Sequence, residues 1–233
     1  MTGAPSGDAW VEAAGTHIAE VVRRAAAEAQ DGVARMALSG GNTPRPVYEW
    51  LAARGGLAWD RVEIYFGDER AVPPDHPESN YRMVMESLVA PAGIDPARVF
   101  RMEADRGNLA AAAADYARVL PDPLPVLLLG IGKDGHTASL FPGGSALTEH
   151  ELRVAEVPAE GTRLARLTVT PPVLASARHV LVLARGEAKA APVARALQGP
   201  WEPRSCPAQL ARQGVWLLDA AASADIEGDA ASA

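Results

Sequence analysis

Cysteine is all but missing from this chain of 233 residues. Cys206 stands alone, so no intramolecular disulfide framework can form, and no Cys/His cluster has the spacing of a zinc site. Lysine is nearly as rare, with Lys133 and Lys189 set against twenty arginines. No apolar run approaches the roughly 18 residues that a membrane span requires. The first ten residues lack a basic segment followed by an apolar one, so no secretory signal is expected. Positive charge is in deficit as well: the formal net charge is −7, which argues against nucleic acid and anionic membrane surfaces as partners.

What is present reads as a globular protein. Hydrophobic residues make up 48% and charged residues 22%, a balance that excludes wholesale disorder and a coiled coil. The length suits one sizeable domain. The expectation is a single α/β catalytic domain over residues 1–219, a frayed tail at 220–233, a cytoplasmic location, and a monomer or weak homodimer.

Apolar periodicity predicts helices at residues 11–29, 44–53, 80–89, 108–120, 173–177 and 188–197. Short apolar runs predict strands at 33–38, 62–66, 99–101, 126–129, 153–157, 164–170, 179–184 and 215–218. Strands alternating with helices imply an α/β fold with a largely parallel, twisted sheet and helices on both faces. In such sheets ligands sit beyond the carboxyl ends of the strands. Three polar segments follow predicted strands there, after Leu38, Phe66 and Leu129, and are expected to converge.

The first, Ser39-Gly40-Gly41-Asn42-Thr43-Pro44, is a strand-to-helix junction. Thr43 suits an N-cap and Pro44 the first turn, and free N–H groups at a helix start cradle phosphate. It is no Walker loop, because no Gly-Lys-Ser/Thr follows. The second, Asp68-Glu69-Arg70, sets two carboxylates beside a guanidinium, suited to a base or acceptor and to an oxyanion stabiliser. The third, Gly130-Ile131-Gly132-Lys133-Asp134-Gly135-His136, spells a dinucleotide fingerprint, with Glu156 as the acidic residue roughly 20 positions on. Pro142-Gly143-Gly144 follows too soon for the long helix that fingerprint opens. His136 has the better reading, as an acid–base group oriented by Asp134. Arg166 and Lys189 come later and would supply local positive charge to an acidic protein.

Together these segments resemble the 6-phosphogluconolactonases, within the group that includes the glucosamine-6-phosphate isomerases/deaminases. The resemblance rests on the three runs above, on Ser79-Asn80-Tyr81, on the continuation Thr137-Ala138-Ser139-Leu140-Phe141-Pro142, and on Arg166-Leu167-Thr168 and Gly186-Glu187-Ala188-Lys189-Ala190. It implies a deaminase-type, Rossmann-like single domain that hydrolyses a phosphorylated sugar lactone without cofactor or metal. By the same resemblance His136, Asp134, Arg70 and Asp68 are catalytic. Ser39, Gly40, Gly41, Asn42, Thr43, Asn80, Gly132, Arg166 and Lys189 bind substrate, with the phosphate on Gly40, Gly41, Thr43, Arg166 and Lys189. Lys133 occupies a variable slot and receives no role.

The deaminases typically place Tyr where this chain has Arg70, and Ala-Phe-Asn-Glu-Pro where it has Ala138-Ser139-Leu140-Phe141-Pro142. The acid that assists their histidine is thus Phe141 here. The chain departs from the lactonase pattern at its N-terminus, where little precedes the first helix and an edge strand is expected to be missing. Two alternatives remain: an amino-sugar phosphate deaminase, which ammonia release would reveal, and a non-catalytic sugar-phosphate sensor, which would not need His136 and Asp134.

Overall fold

The computed structural model describes residues 8–227. A helix α1 (Ala9–Glu28), capped by the Asp8 carboxylate, leads into strand β1 (Ala34–Leu38) and helix α2 (Arg45–Arg54). Strands β2 (Val62–Phe66) and β3 (Asp68–Arg70) follow, then the helical run α3 (Asn80–Val84), a π-helical turn (Met85–Val89) and α4 (Ala90–Ala92). Helix α5 (Leu109–Val119), strands β4 (Val126–Gly130), β5 (Val154–Val157) and β6 (Arg166–Val169), and helix α6 (Pro171–Ser176) form the middle of the chain. Strand β7 (His179–Ala184), helix α7 (Ala190–Leu197) and strand β8 (Val215–Leu218) complete it.

Five strands form a wholly parallel sheet in the order β2-β1-β4-β7-β8. The four residues Val126 to Leu129 are fully buried at its centre, as expected of a strand covered on both faces. From β1 the chain crosses to β2 on one side, and from β4 it moves to β7 and β8 on the other. Parallel crossovers are right-handed, so this reversal puts α2 and α7 on opposite faces and opens a crevice between the ends of β1 and β4.

The fold departs from the sequence reading at several points. A separate antiparallel sheet, β3-β6-β5, stands beside the parallel one, and Asp68-Glu69-Arg70 is one of its strands rather than a loop. Residues 99–101 form no strand; Val99 makes only an isolated bridge to Ile64. The helix expected at 80–89 runs on to Ala92 through the π-helical turn. Pro91 explains the widening, since its ring would clash with the Ser87 carbonyl in a regular turn. Of the expected tail, residues 220–227 are described: Ala222 is fully buried in the small apolar cluster that includes Ile131 and Val193, and its N–H donates to Asp219. Residues 228–233 lie outside the described residues, as do residues 1–7, where a further edge strand would fall. Among the described residues no helix is long and apolar enough to cross a membrane.

Candidate functional site

At the end of β1 the chain turns through Ser39, Gly40 and Gly41 into α2. The fully buried Tyr48 hydroxyl holds this turn from below, donating to the Ser39 carbonyl at 2.9 Å and accepting from its N–H at 3.2 Å. Burial pushes the phenol's pKa well above its ordinary value, so it stays a neutral donor. Tyr116 does the same for Phe66 at the end of β2, accepting from its N–H at 2.7 Å and donating to its carbonyl at 3.2 Å. The expected Thr43 cap is not formed. Pro44 occupies the cap position with no side-chain bond to the helix, and the turn from Ser39 to Pro44 lines the cleft.

The period-two alternation of β3 sorts its three charged residues. Asp68 and Arg70 share the face that lines the cleft, whereas Glu69 points the other way. The buried Glu69 carboxylate accepts from the Arg70 and Asn80 N–H groups on one oxygen. The other oxygen accepts from the Ser79 hydroxyl and the Tyr81 N–H. Burial raises its pKa, and those hydrogen bonds oppose the rise. Glu69 therefore anchors the start of α3 and aims Asn80 back into the cleft. The Asn80 amide donates to the Asp68 carbonyl at 2.8 Å and accepts from Arg70. Gly40 makes room for it, since a Cβ there would stand 1.7 Å from Asn80 Oδ1.

Asp68 is buried, accepting from Ser139 Oγ at 2.6 Å and lying 3.6 Å from Arg166 Nη1. Arg166 is the register partner of Arg70 on β6. Two like charges directly opposite destabilise a sheet, and such a pair beside a cleft marks a place for an anion. Burial and the neighbouring Arg70 and Arg163 charges lower the Arg166 pKa against the pull of Asp68. Its Nε is buried without a partner.

The loop after β4 carries the imidazole. His136 Nδ1 lies 2.6 Å from Asp134 Oδ1, which assigns Nδ1–H as donor and leaves Nε2 for the cleft. Burial works to raise the Asp134 pKa, but the charge and hydrogen bonds of His136 outweigh it and hold the carboxyl below its usual range. The loop is pinned by Arg195, which donates to the Asp134 carbonyl at 2.6 Å, and by Ala208 N–H on the Gly135 carbonyl. Gly132 is needed for close approach: a Cβ would stand 2.0 Å from His136 Nδ1. Ala138 takes φ +47°, a strained conformation for a non-glycine residue of the kind found at functional sites. The Phe141 ring meets the imidazole at 4.7 Å. From the far side of the crevice Lys189 Nζ donates to the Ile131 carbonyl at 2.6 Å. Burial and the nearby Lys133 charge lower its pKa, with Asp134 opposing.

These groups surround one cleft of about 350 Å³. Ser39, Gly40, Gly41, Asn42, Thr43, Asp68, Arg70, Asn80, Gly132, His136, Arg166 and Lys189 all line it, and Asp134 stands behind His136. Lys133 is exposed. Sequence reasoning gives no role to Tyr48, Tyr116, Ser139 or Arg195. Tyrosines at helical spacing look like core, and nothing in the sequence pairs Arg195 with position 134. Among the described residues no group of three or more His, Cys, Asp and Glu gathers as a metal site. The arrangement offers an imidazole oriented by a carboxylate, adjacent guanidinium donors and a glycine turn at the start of a helix.

The sequence model described as "Glucosamine-6-phosphate isomerases/6-phosphogluconolactonase" matches residues 5–218. The chain is 37% identical to a 6-phosphogluconolactonase of Synechocystis over 82% of its length and 84% of the relative's. It resembles the crystal structure of 6-phosphogluconolactonase from Leishmania guyanensis with TM-score 0.79 and 27% identity, covering 94% of this chain and 96% of that one. A monomeric glucosamine-6-phosphate deaminase, 21% identical with TM-score 0.77 over 93% and 95% of the chains, shares the fold.

Proposed function

The chain belongs to the glucosamine-6-phosphate isomerase/6-phosphogluconolactonase family, and on that premise we propose that it hydrolyses 6-phospho-D-glucono-1,5-lactone to 6-phosphogluconate in the oxidative pentose phosphate pathway. The observation that carries the reading is the His136–Asp134 dyad opening onto the same cleft as the helix start and the Arg70–Arg166 pair. The substrate phosphate binds at the Gly40-Gly41 turn, Thr43, Arg166 and Lys189, with Ser39, Asn42 and Gly132 completing the wall. This fixes the lactone carbonyl toward His136.

His136 Nε2 takes a proton from water as its oxygen attacks C1. Arg70, steered by Asn80, stabilises the tetrahedral oxyanion, and Asp68 orients the ring hydroxyls. The imidazolium then returns the proton to the departing ring oxygen. Asp134 favours the charged imidazole during this cycle. Every step is assigned to water and to side chains of this chain. Phe141 adds an apolar ring beside the imidazole and no second acid, which supports ester rather than amine chemistry.

We further read the protein as cytoplasmic, consistent with its lone buried cysteine. We read it also as a monomer or weak homodimer, with few large apolar side chains exposed among the described residues: Val119, Leu152, Trp201 and Val215. Stopped-flow measurement on freshly generated lactone tests the function. We expect hydrolysis well above the spontaneous rate and no ammonia from glucosamine 6-phosphate. A rate no faster than the spontaneous one overturns it.

A further inference from the structure

The cleft does not end at Arg70. A second lobe of about 410 Å³ continues from it, sharing Gly41, Asn42, Arg70, Asn80 and Arg166 with the first and adding Arg45 and Arg163. Four arginines from four segments of the chain therefore line one extension of the site: α2, β3, the loop before β6, and β6. Glu78 is the one carboxylate among the lining residues, and it is exposed. Arg45 and Arg163 are countered from outside the lobe, by Glu86 at 3.8 Å and by Glu160. Arg163 lies 3.8 Å over the Phe141 ring, the same ring that meets His136. Its Nε, like that of Arg166, is buried without a partner. With Arg166 on the phosphate and Arg70 on the oxyanion, the proposed reaction leaves Arg45 and Arg163 without a task.

Resting on the lactonase reading, we infer that this lobe is a carboxylate subsite that receives the C1 carboxylate of the ring-opened product. Hydrolysis adds water across the C1–ring-oxygen bond and gives a carboxylic acid, which releases one proton to solvent and becomes an anion. The lactone carries only its phosphate; the product carries a second charged group and a longer, open chain. With the phosphate fixed, the new carboxylate forms beside His136 and Arg70. The arginine lobe is the continuation of the cleft that can accept it with charge-assisted, fork-shaped hydrogen bonds. The subsite draws the product out of the reacting position and gives the enzyme a higher affinity for its product than the phosphate alone provides.

The test compares two open-chain ligands by calorimetric titration: 6-phosphogluconate and glucitol 6-phosphate, which has a hydroxymethyl group in place of the carboxylate. The unmodified enzyme should prefer the carboxylate by about tenfold or more. Arg45→Met and Arg163→Met should each reduce that preference, and together bring it to within about twofold, while glucitol 6-phosphate binds as before. Equal affinity for the two ligands in the unmodified enzyme overturns the subsite. So does parallel weakening of both ligands in the variants, because the arginines would then serve the phosphate. An active lactonase without the preference refutes the subsite alone. The preference without lactone hydrolysis refutes the proposed reaction and leaves the subsite standing.

Discussion

The substitution Gly132→Ala adds one methyl group at the floor of the cleft. An ideal Cβ there stands 2.0 Å from His136 Nδ1, 2.3 Å from its Cε1 and 2.5 Å from Asp134 Oδ1. Ordinary contacts between heavy atoms begin near 3.5 Å, so the imidazole and its carboxylate must withdraw by roughly 1.5 Å. Gly132 is not one of the positive-φ glycines, so alanine adds no backbone strain and the displacement falls on the dyad. A misplacement of about 1 Å in a reacting group costs on the order of 10²-fold, and complete loss of acid–base assistance costs up to about 10⁴-fold. We therefore expect kcat to fall by roughly 10²–10⁴. Overpacking costs about 1–3 kcal/mol, and here the lower end applies because both displaced side chains can move toward solvent. In a domain of this size that is a loss of about 2–4 °C in melting temperature. Stopped-flow hydrolysis of fresh lactone and a thermal melt read the two effects separately. A folded variant with near-normal kcat would refute the argument that Gly132 makes room for the catalytic pair.

Four further outcomes follow from the same geometry. His136→Asn should lower kcat by roughly 10²–10⁴-fold with little change in melting temperature, checked by the same assay. Lys189→Met should raise KM, by about 1.5–3 kcal/mol of lost binding, and largely spare kcat; an unchanged KM would remove Lys189 from the phosphate site. Because burial lowers the Lys189 pKa, the ammonium is lost at lower pH than in an exposed lysine. Product affinity should then fall as pH rises through that lowered value, and Lys189→Arg should push the fall to higher pH in a titration series. Glu69→Gln replaces one acceptor oxygen of a carboxylate that receives four donors. It should destabilise the fold by about 1–3 kcal/mol in a denaturant melt.

The parallel sheet was legible wherever apolar runs were continuous or closely bounded. The strands at residues 62–66, 179–184 and 215–218 have the limits that the sequence suggests. The convergence of the three polar segments was legible for the same reason, since parallel strands deliver their ends to one edge. In the antiparallel sheet β5 and β6 were legible as the strands expected at 153–157 and 164–170, but β3 was not. Three charged residues make no hydrophobic pattern, and Asp68-Glu69-Arg70 becomes a strand only because β6 pairs with it. Tyr48 and Tyr116 were hidden because a buried phenol is read as core, although each hydroxyl is spent on the backbone at a strand end. Ala138 carries no signal at all for its positive φ. Of the two lysines, Lys189 lines the cleft and Lys133 is exposed.

Arg70 and Arg166 oppose each other across a strand of three residues, and their repulsion loads that short pairing like a spring. On the proposed site, a small tetrahedral anion bound beside them should release it. Phosphate or sulfate in a buffer is then no inert background. It should compete for the proposed phosphate site and at the same time firm the sheet that carries the guanidinium groups. One ion would lower the apparent affinity and raise the melting temperature together. Stability measured in such a buffer would then belong to the anion-loaded enzyme, and the empty enzyme would be the softer form.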